Sequence, residues 1–437
     1  MRQRSNVILE YGIYMLAYLV SYVFSLAGFE LFAGGVLIIA AVYLYLRWYK
    51  ETRNLVDLRG LFTLAWVGGQ GIACLQLSYL QREWHYLTWL CFFLIYMGFG
   101  IGYEWGLKDG RVERRVVRSK MYSKRILRCM NILGVVSLAC FVLEVVIRGY
   151  VPLFSELPHA YSYFSVTGVH YFTVSCILLP ALSVLYFQCE EKVSAREKAI
   201  LLFWNIISVL IPILCVSRFQ ILFAVGFALV VYVITNKSIK GRTVFLILLV
   251  LVPLYILLTV ARNHDASYLN SIFEMKNSDI PIFITQPYMY VVNNFENFNL
   301  MVVNLSKHSY GVRMLFPVIA LSGAKFVFPQ LVNFPLFLTK PELNTLTMFY
   351  DAYYDFGVFG VLALAVTIGA VARMVIINAR KVENPIIFMF YGQIAIYLGL
   401  AFFTTWFSNP TTWFWFVLTG IMFWYVGKGK TKEDNNE

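Results

Sequence analysis

The 437-residue sequence is poor in charge and has only five histidines and seven cysteines. Charged residues make up 14% of it, about half of what a soluble domain carries, whereas 59% are hydrophobic and 17% aromatic. A water-soluble fold could not bury so much apolar surface. Many apolar runs reach or approach the ~20 residues that a helix needs to cross a hydrocarbon core of about 30 Å. The sequence therefore predicts an all-α polytopic membrane protein and lacks the alternation of a transmembrane barrel.

Several sequence signatures of chemistry are also missing. The chain has no Walker loop and no paired Cys-x-x-Cys, and its predicted outer segments contain no Asp-x-Asp motif. ATP hydrolysis and a structural zinc site are therefore unsupported, and a metal-dependent sugar-nucleotide transferase is disfavoured. All seven cysteines fall in predicted spans or on the predicted cytoplasmic side, so no outer disulfide framework is expected. The sequence thus indicates neither a metal site nor a cofactor.

The sequence does contain about a dozen long apolar runs. The predicted spans are 8–27, 31–47, 61–80, 86–106, 129–148, 169–188, 199–216, 219–236, 243–261, 357–378, 385–404 and 412–427. Most of the 36 basic residues fall on alternate connections, and the positive-inside rule assigns those connections and both termini to the cytoplasm. The net charge of +12 therefore reflects topology and contact with lipid headgroups, and no nucleic-acid partner is expected.

One long connection interrupts this pattern. We expect residues 1–437 to form a single transmembrane bundle, with a large extracytoplasmic loop at 262–356 between the ninth and tenth spans. At about 90 residues, this loop is far longer than an ordinary connection. Its aromatic and aliphatic patches, interrupted by prolines, are not typical of a disordered segment. Short helices that lie in the interface or re-enter the membrane would explain the pattern.

Two arginines lie at the predicted outer ends of helices, where basic residues are uncommon. Arg218 lies in a tight turn between two spans, and Arg262 ends the span before the large loop. Each could simply extend toward headgroup phosphates. Alternatively, the two guanidinium groups clamp a phosphate or pyrophosphate through bidentate hydrogen bonds, with Arg313 of the loop as a third candidate.

All five histidines fall in or beside the predicted outer segments. A histidine near the headgroups is often only a hydrogen-bonding group. Their clustering nevertheless places proton-transfer capacity on one side of the membrane. They are His85, His159, His170, His264 and His308.

The segment that leads into the tenth predicted span combines tyrosines with acidic residues. Asp355 could cap the helix that starts at Gly357. Tyr350, Tyr353 and Tyr354 could belong to the aromatic belt at the membrane interface, or they could stack on sugar rings. The sequence leaves both alternatives open.

Taken together, these features resemble the O-antigen and oligosaccharide repeat-unit polymerases, the Wzy-type family, and through them the C-type glycosyltransferase superfamily. The topology is similar over nearly the whole chain, whereas the matching motifs are short. Three elements carry the resemblance: the Ser217-Arg218 turn, Arg262 ahead of the loop, and Asn344-Thr345 followed by Tyr350, Asp355-Phe356-Gly357 and Gly360.

The resemblance implies a reaction at the outer face of a bacterial cytoplasmic membrane. One polyprenyl-diphosphate-linked oligosaccharide is transferred onto another, and the growing glycan leaves its lipid diphosphate. Such a step must stabilise negative charge on the leaving group and deprotonate a sugar hydroxyl. Arg218 and Arg262 suit the first task. His264 is the first candidate for the base, with Asp265 and Asp351 behind it.

The same interpretation implies a set of substrate-binding residues from the loop and the following helix start. Membrane lipids and the lipid-linked oligosaccharides are the implied partners, together with a chain-length regulator and other glycan-assembly proteins. The implied substrate-binding residues are Arg313, Tyr350, Tyr353, Asp355 and His308.

Other functions stay open at this point. A ligase that moves finished glycan has a similar topology, as does a polyprenyl-phosphate-sugar glycosyltransferase, although only Glu30 is available in the first outer loop for the latter. A flippase for the same lipid-linked sugar would also suit about twelve helices, but no paired broken helices are evident. A membrane scaffold or receptor could dock through the basic segment 108–128, which topology explains more simply.

Overall fold

The computed structural model describes residues 2–105, 118–156, 160–236, 242, 249, 253, 266–277 and 279–428. Within these ranges the backbone is helical or irregular and forms no strand, and Ser78 and Met275 make an isolated antiparallel bridge. The predicted all-α fold class is therefore confirmed for the described part of the chain.

The longer helices of the described ranges account for most of the bundle. In chain order they are α1 (Arg2–Leu26), α2 (Glu30–Thr52), α3 (Tyr86–Glu104), α4 (Lys120–Arg148), α5 (Val169–Cys189, with a 3-10 turn at Val174–Leu178), α6 (Ala195–Leu214), α7 (Arg218–Asn236), α8 (Ile282–Asn304), α9 (Tyr350–Lys381), α10 (Ile387–Gly399) and α11 (Pro410–Gly427). Among the described residues, eight helices are long and apolar enough to cross a membrane, namely α1 to α7 and α9. Helices of this length and composition indicate a membrane protein with several spans.

The other four predicted spans are not confirmed, so the count of about a dozen is not confirmed either. The predicted span 61–80 is broken into Leu58–Thr63, a π turn at Leu64–Gly68 and Gly69–Ala73. Helix α10 has 13 residues, fewer than the ~20 that a span needs, and α11 is rich in tryptophan and threonine. The predicted span 243–261 lies outside the described residues, apart from isolated positions.

The segment 262–356 contains more helix than the sequence predicts. Short helices are present at Ala266–Phe273, Phe316–Leu321 and Ala324–Val327, followed by a 3-10 turn at Pro329–Leu331. Between the first two lies α8, a 23-residue helix that is buried along much of its length. The extracytoplasmic position of this segment stays a prediction, and its described residues form several helices joined by irregular connections.

Helix α8 carries an unusual run of buried asparagines that ties two connections to the bundle. The amide nitrogens of Asn293 and Asn297 donate to the carbonyl of Leu343 at 2.7 and 2.9 Å. Further along the helix, the Asn299 carbonyl oxygen accepts from the Thr88 hydroxyl at 2.7 Å. Buried polar side chains are stable only when paired in this way. The same helix thus fixes the segment before α9 and the start of α3.

Helix α9 packs closely along α3. Glycines make this approach possible, because a Cβ on Gly102 would overlap the carbonyl of Val366 and a Cβ on Gly369 would overlap the carbonyl of Phe99. Small residues let helix backbones approach each other in this manner in membrane proteins. The close packing holds α9 in place, and the start of α9 supplies most of the candidate site.

A buried ion cluster joins three helix ends at the other end of the bundle. Nε of the Arg59 guanidinium donates to Oε1 of the fully buried Glu10 at 3.1 Å, Nη2 lies 3.0 Å from Oε2 as an ion pair, and the guanidinium also contacts Glu104. Its carbon lies 4.3 Å from the centroid of the Trp48 ring. The sequence treats Arg59 as part of a basic connection, whereas the structure buries it as a paired charge.

Candidate active site at one end of the bundle

Helix ends that the sequence assigns to the outer side meet around the connection between α10 and α11. The Ser408 hydroxyl donates to the sulfur of Met314 at 3.2 Å, which joins this connection to the segment before α9. The Phe403 ring stacks on Phe219 in the first turn of α7, with centroids 5.0 Å apart. Phe414 packs on aromatic rings in the first turn of α5. The starts of α7 and α9 are therefore neighbours of this connection, and the start of α5 is a neighbour of the first turns of α11 that follow it.

An ion pair between Arg313 and Asp351 lies at the centre of the residues that the sequence singles out. Nε of Arg313 donates to Oδ1 of Asp351 at 2.5 Å, and the two side chains are 12% and 6% exposed. Asp351 lies in the first turn of α9, where a negative charge suits the helix dipole. Within the described part of the chain, the two terminal nitrogens of Arg313 have no hydrogen-bond partner. The Asp351 carboxylate therefore binds one edge of the Arg313 guanidinium and fixes its orientation.

Aromatic rings surround the same guanidinium. Its carbon lies 4.5 Å from the ring centroid of Tyr354, 5.7 Å from that of Tyr350 and 5.8 Å from that of Phe334. Contacts of this kind stabilise a cation, more so where water is excluded. The Tyr350 hydroxyl accepts a hydrogen bond from the backbone N–H of Phe337 at 3.0 Å, which fixes the ring. Tyr350 and Tyr354 therefore contact Arg313, and their predicted stacking on sugar rings stays a prediction.

Asp355 holds the turn from which Arg313 projects. Its carboxylate is fully buried and accepts hydrogen bonds from the Ser309 hydroxyl, from the backbone N–H of Arg313 at 3.2 Å and from that of Met314 at 2.8 Å. The carboxylate oxygens of Asp355 accept from this turn, and no bond from the helical segment after Gly357 to Asp355 is present among the described residues, so the predicted cap is not observed. Its predicted role in substrate binding stays a prediction, because the observed contacts are structural.

A kink in α9 places the two remaining candidates side by side. Gly357 has φ +60° and ψ −142°, a backbone conformation that L residues rarely adopt. A Cβ at this position would lie 3.2 Å from Cε1 of His308. The Nδ1–H of His308 donates to the carbonyl of Tyr354 at 3.1 Å, and its ring contacts Tyr353 edge-on. His308 and Tyr353 thus contact each other beside the kink of α9.

Arg218 lies in the first turn of α7 and is buried against α8. Its Nη1 donates to Oε1 of Gln286 at 3.4 Å, and its Nη2 donates to the Tyr290 hydroxyl at 3.2 Å. The backbone reverses just before it, with Val216 at φ +53°. Arg262 and His264 lie outside the described residues, so the predicted arginine clamp and the predicted base stay predictions.

A buried carboxyl on α8 was not singled out from the sequence. Glu296 is buried, and it accepts hydrogen bonds from the Trp84 indole N–H at 2.7 Å and from the backbone N–H of Arg82 at 3.3 Å. Burial raises the pKa of Glu296 to about 8. The run of asparagines among phenylalanines around Glu296 could have drawn attention to this position, because asparagine is unusual within an apolar helix.

The described residues contain no group of three or more His, Cys, Asp or Glu side chains that could hold a metal ion. Comparison with models of protein families, with curated proteins and with solved structures finds no match for this chain. The described part of the chain is all-helical, and several of its helices are long and apolar enough to cross a membrane. One end of its bundle carries a shielded arginine within a tyrosine cluster.

Proposed function

We propose that this chain is a glycosyltransferase that joins polyprenyl-diphosphate-linked oligosaccharide repeat units at the outer face of a bacterial cytoplasmic membrane. The observation that carries the proposal is the arrangement of Arg313. Asp351 binds one edge of its guanidinium, and the two terminal nitrogens have no partner in the described part of the chain. Paired N–H groups of this geometry suit the oxygens of a phosphate or diphosphate.

The environment of Arg313 fits the charge that the reaction develops. When the glycan leaves its lipid carrier, negative charge accumulates on the diphosphate, and a cation fixed in advance stabilises it without reorganisation. The rings of Tyr350 and Tyr354 and the carboxylate of Asp351 hold the guanidinium in this way. Arg218, in the neighbouring helix start, is the second cation of the proposed site.

Polymer length tests the proposal in cells. A strain that lacks this chain should accumulate single lipid-linked repeat units and lose long glycan, and the wild-type chain should restore it. Arg313→Ala should fail to restore long glycan although the protein is present in the membrane. Arg313→Lys should restore it only in part, because an ammonium group keeps the charge without the paired donors.

A nearby lysine provides the matched control. Lys307 is exposed and precedes the same turn, so Lys307→Ala should restore polymer of normal length. Long glycan from Arg313→Ala would refute the proposed role of the arginine. Repeat units retained on the inner side of the membrane in the deletion strain would instead favour a flippase, and polymer that stays on its lipid would favour a ligase.

A further inference from the structure

A second pair of polar side chains, Glu144 and His170, lies at the same end of the bundle and is not part of the site described above. Glu144, near the end of α4, faces His170 in the first turn of α5. The distances from Nδ1 of the imidazole to Oε1 and Oε2 of the carboxylate are 3.1 and 3.2 Å. Glu144 is fully buried, whereas the His170 side chain is 31% exposed. The pair therefore has a protected carboxylate and an accessible imidazole.

The carboxylate is held from a second direction, which fixes the orientation of the imidazole. Oε1 of Glu144 accepts a hydrogen bond from the backbone N–H of Val166 at 2.8 Å. A carboxylate beside Nδ1 favours the tautomer with the proton on Nδ1. Nε2 of His170, which has no hydrogen-bond partner within the described residues, is then the basic nitrogen.

The pair borders the candidate site. The connection between α4 and α5 packs against the turn before Arg218, because Leu153 and Tyr161 contact the buried Val216 and Ile221. The residue that follows His170, Tyr171, stacks on Phe414 near the start of α11, with ring centroids 5.5 Å apart. His170, in the first turn of α5, thus lies at the end of the bundle where α7 and α11 begin.

We infer that His170, oriented by Glu144, accepts the proton of the attacking sugar hydroxyl. This inference rests on the proposed function. Nε2 takes the proton as the hydroxyl oxygen bonds to the anomeric carbon of the donor glycan. The bond from that carbon to the diphosphate oxygen breaks, and the lipid diphosphate leaves with the electron pair. The imidazolium, stabilised by Glu144, then returns its proton to solvent or to the diphosphate.

The other described candidates are less suited to this role. Asp351 is held by Arg313 and its side chain is only 6% exposed, so it is not accessible to a sugar hydroxyl. His308 is oriented only by the backbone carbonyl of Tyr354, which does not stabilise a positive charge as a carboxylate does. His170 alone among these three combines exposure with a buried carboxylate partner.

The titratable groups around the imidazole are few in the described residues. Helix α4 contributes Cys140 and Arg148 beside Glu144, and the guanidinium of Arg148 donates to the carbonyls of Phe164 and Ser165 rather than to the carboxylate. Among the described residues, Glu144 is therefore the charged group in direct contact with the imidazole of His170.

The test uses the purified full-length protein in liposomes, with lipid-linked repeat units extracted from the deletion strain as substrate. His170→Gln should reduce the rate of polymer formation by about 10²–10⁴-fold, the usual contribution of a general base. His85→Asn should leave the rate unchanged, because asparagine keeps the acceptor that caps α3.

The dependence of the rate on pH separates proton transfer from a structural role. The wild-type rate should rise with pH as the imidazole loses its proton. Glu144→Gln should slow the reaction, because the charge that stabilises the imidazolium is gone, and His170→Gln should lose the rise with pH, because glutamine has no group that takes up the proton. A slower His170→Gln reaction with an unchanged pH profile would assign the pair a structural role.

Failure of this inference is distinguishable from failure of the proposed function. If the wild-type protein forms no polymer from the extracted substrate, the proposed function is wrong. If the wild-type protein forms polymer and His170→Gln forms it equally fast, the function stands and the assignment of His170 is wrong.

Discussion

At the scale of single residues, Asp355 holds the turn that presents Arg313. Asp355→Ala would leave the Ser309 hydroxyl and two backbone N–H groups without their acceptor. Each unsatisfied buried donor costs about 1–3 kcal/mol, so the free energy of unfolding should fall by about 3 kcal/mol or more. Thermal unfolding in detergent micelles measures this, with Asp279→Ala at an exposed position as the control. Equal unfolding temperatures for the two variants would contradict the account.

Glu296 predicts a dependence of stability on pH. Because its pKa is about 8 in the folded protein against 4.5 for an ordinary glutamate, the folded state keeps a proton that the unfolded state loses. The free energy of unfolding should therefore fall as pH rises from about 5 to about 8, and stay level beyond.

The variant Glu296→Gln isolates this effect, since an amide oxygen can still accept from the Trp84 indole and does not titrate. The decline in stability between about pH 5 and 8 should be reduced in this variant. Glu342→Gln, at an exposed position, should keep the wild-type decline. The same slope in the wild type and in Glu296→Gln would show that another group is responsible.

At the scale of elements, the kink of α9 joins the ion pair to the membrane-crossing part of the helix. Gly357→Ala would force an L residue into a conformation at φ +60°, and its Cβ would press on His308. We expect a loss of about 1–3 kcal/mol in the free energy of unfolding. Gly35→Ala is the control, because a Cβ there meets nothing within 4 Å and alanine favours a helix. A Gly357→Ala protein as stable as the control would show that the kink relaxes without cost.

Sequence patterns predict some of these elements better than others. Long runs without charge, such as those of α4 and α7, identify spans because continuous apolar composition is the signal itself. The π turn at Leu64–Gly68 leaves no comparable signal. Helix α8 escapes detection because its asparagines and Glu296 give it low hydropathy, and these side chains are buried only through partners that are distant in sequence.

The candidate site illustrates the same limit. The sequence singles out Arg313, Asp351 and Asp355 individually, and the structure brings them together. Their pairing could not be predicted, because 38 residues separate Arg313 from Asp351 and only the fold closes that distance. The importance of Glu144 was hidden for the same reason, since its partner His170 lies on another helix.

At the scale of the whole molecule, the predicted topology places two charged regions on opposite sides of the membrane. The cluster of Arg59, Glu10 and Glu104 joins helix ends that the positive-inside rule assigns to the cytoplasm. The ion pair of Arg313 and Asp351 joins segments that the same rule assigns to the outside. The first region holds the bundle together through buried paired charge. The second region contains the Arg313 guanidinium, whose two terminal nitrogens have no hydrogen-bond partner in the described part of the chain.

Stoichiometry in a reconstituted system tests the central claim most directly. Purified protein in liposomes, supplied only with lipid-linked repeat units, should release one polyprenyl diphosphate for each new glycosidic bond. Mass spectrometry would then detect products that carry several repeat units on one lipid diphosphate, without ATP. Lipid-linked units that stay single, or diphosphate that is released without growth of the glycan, would contradict the account.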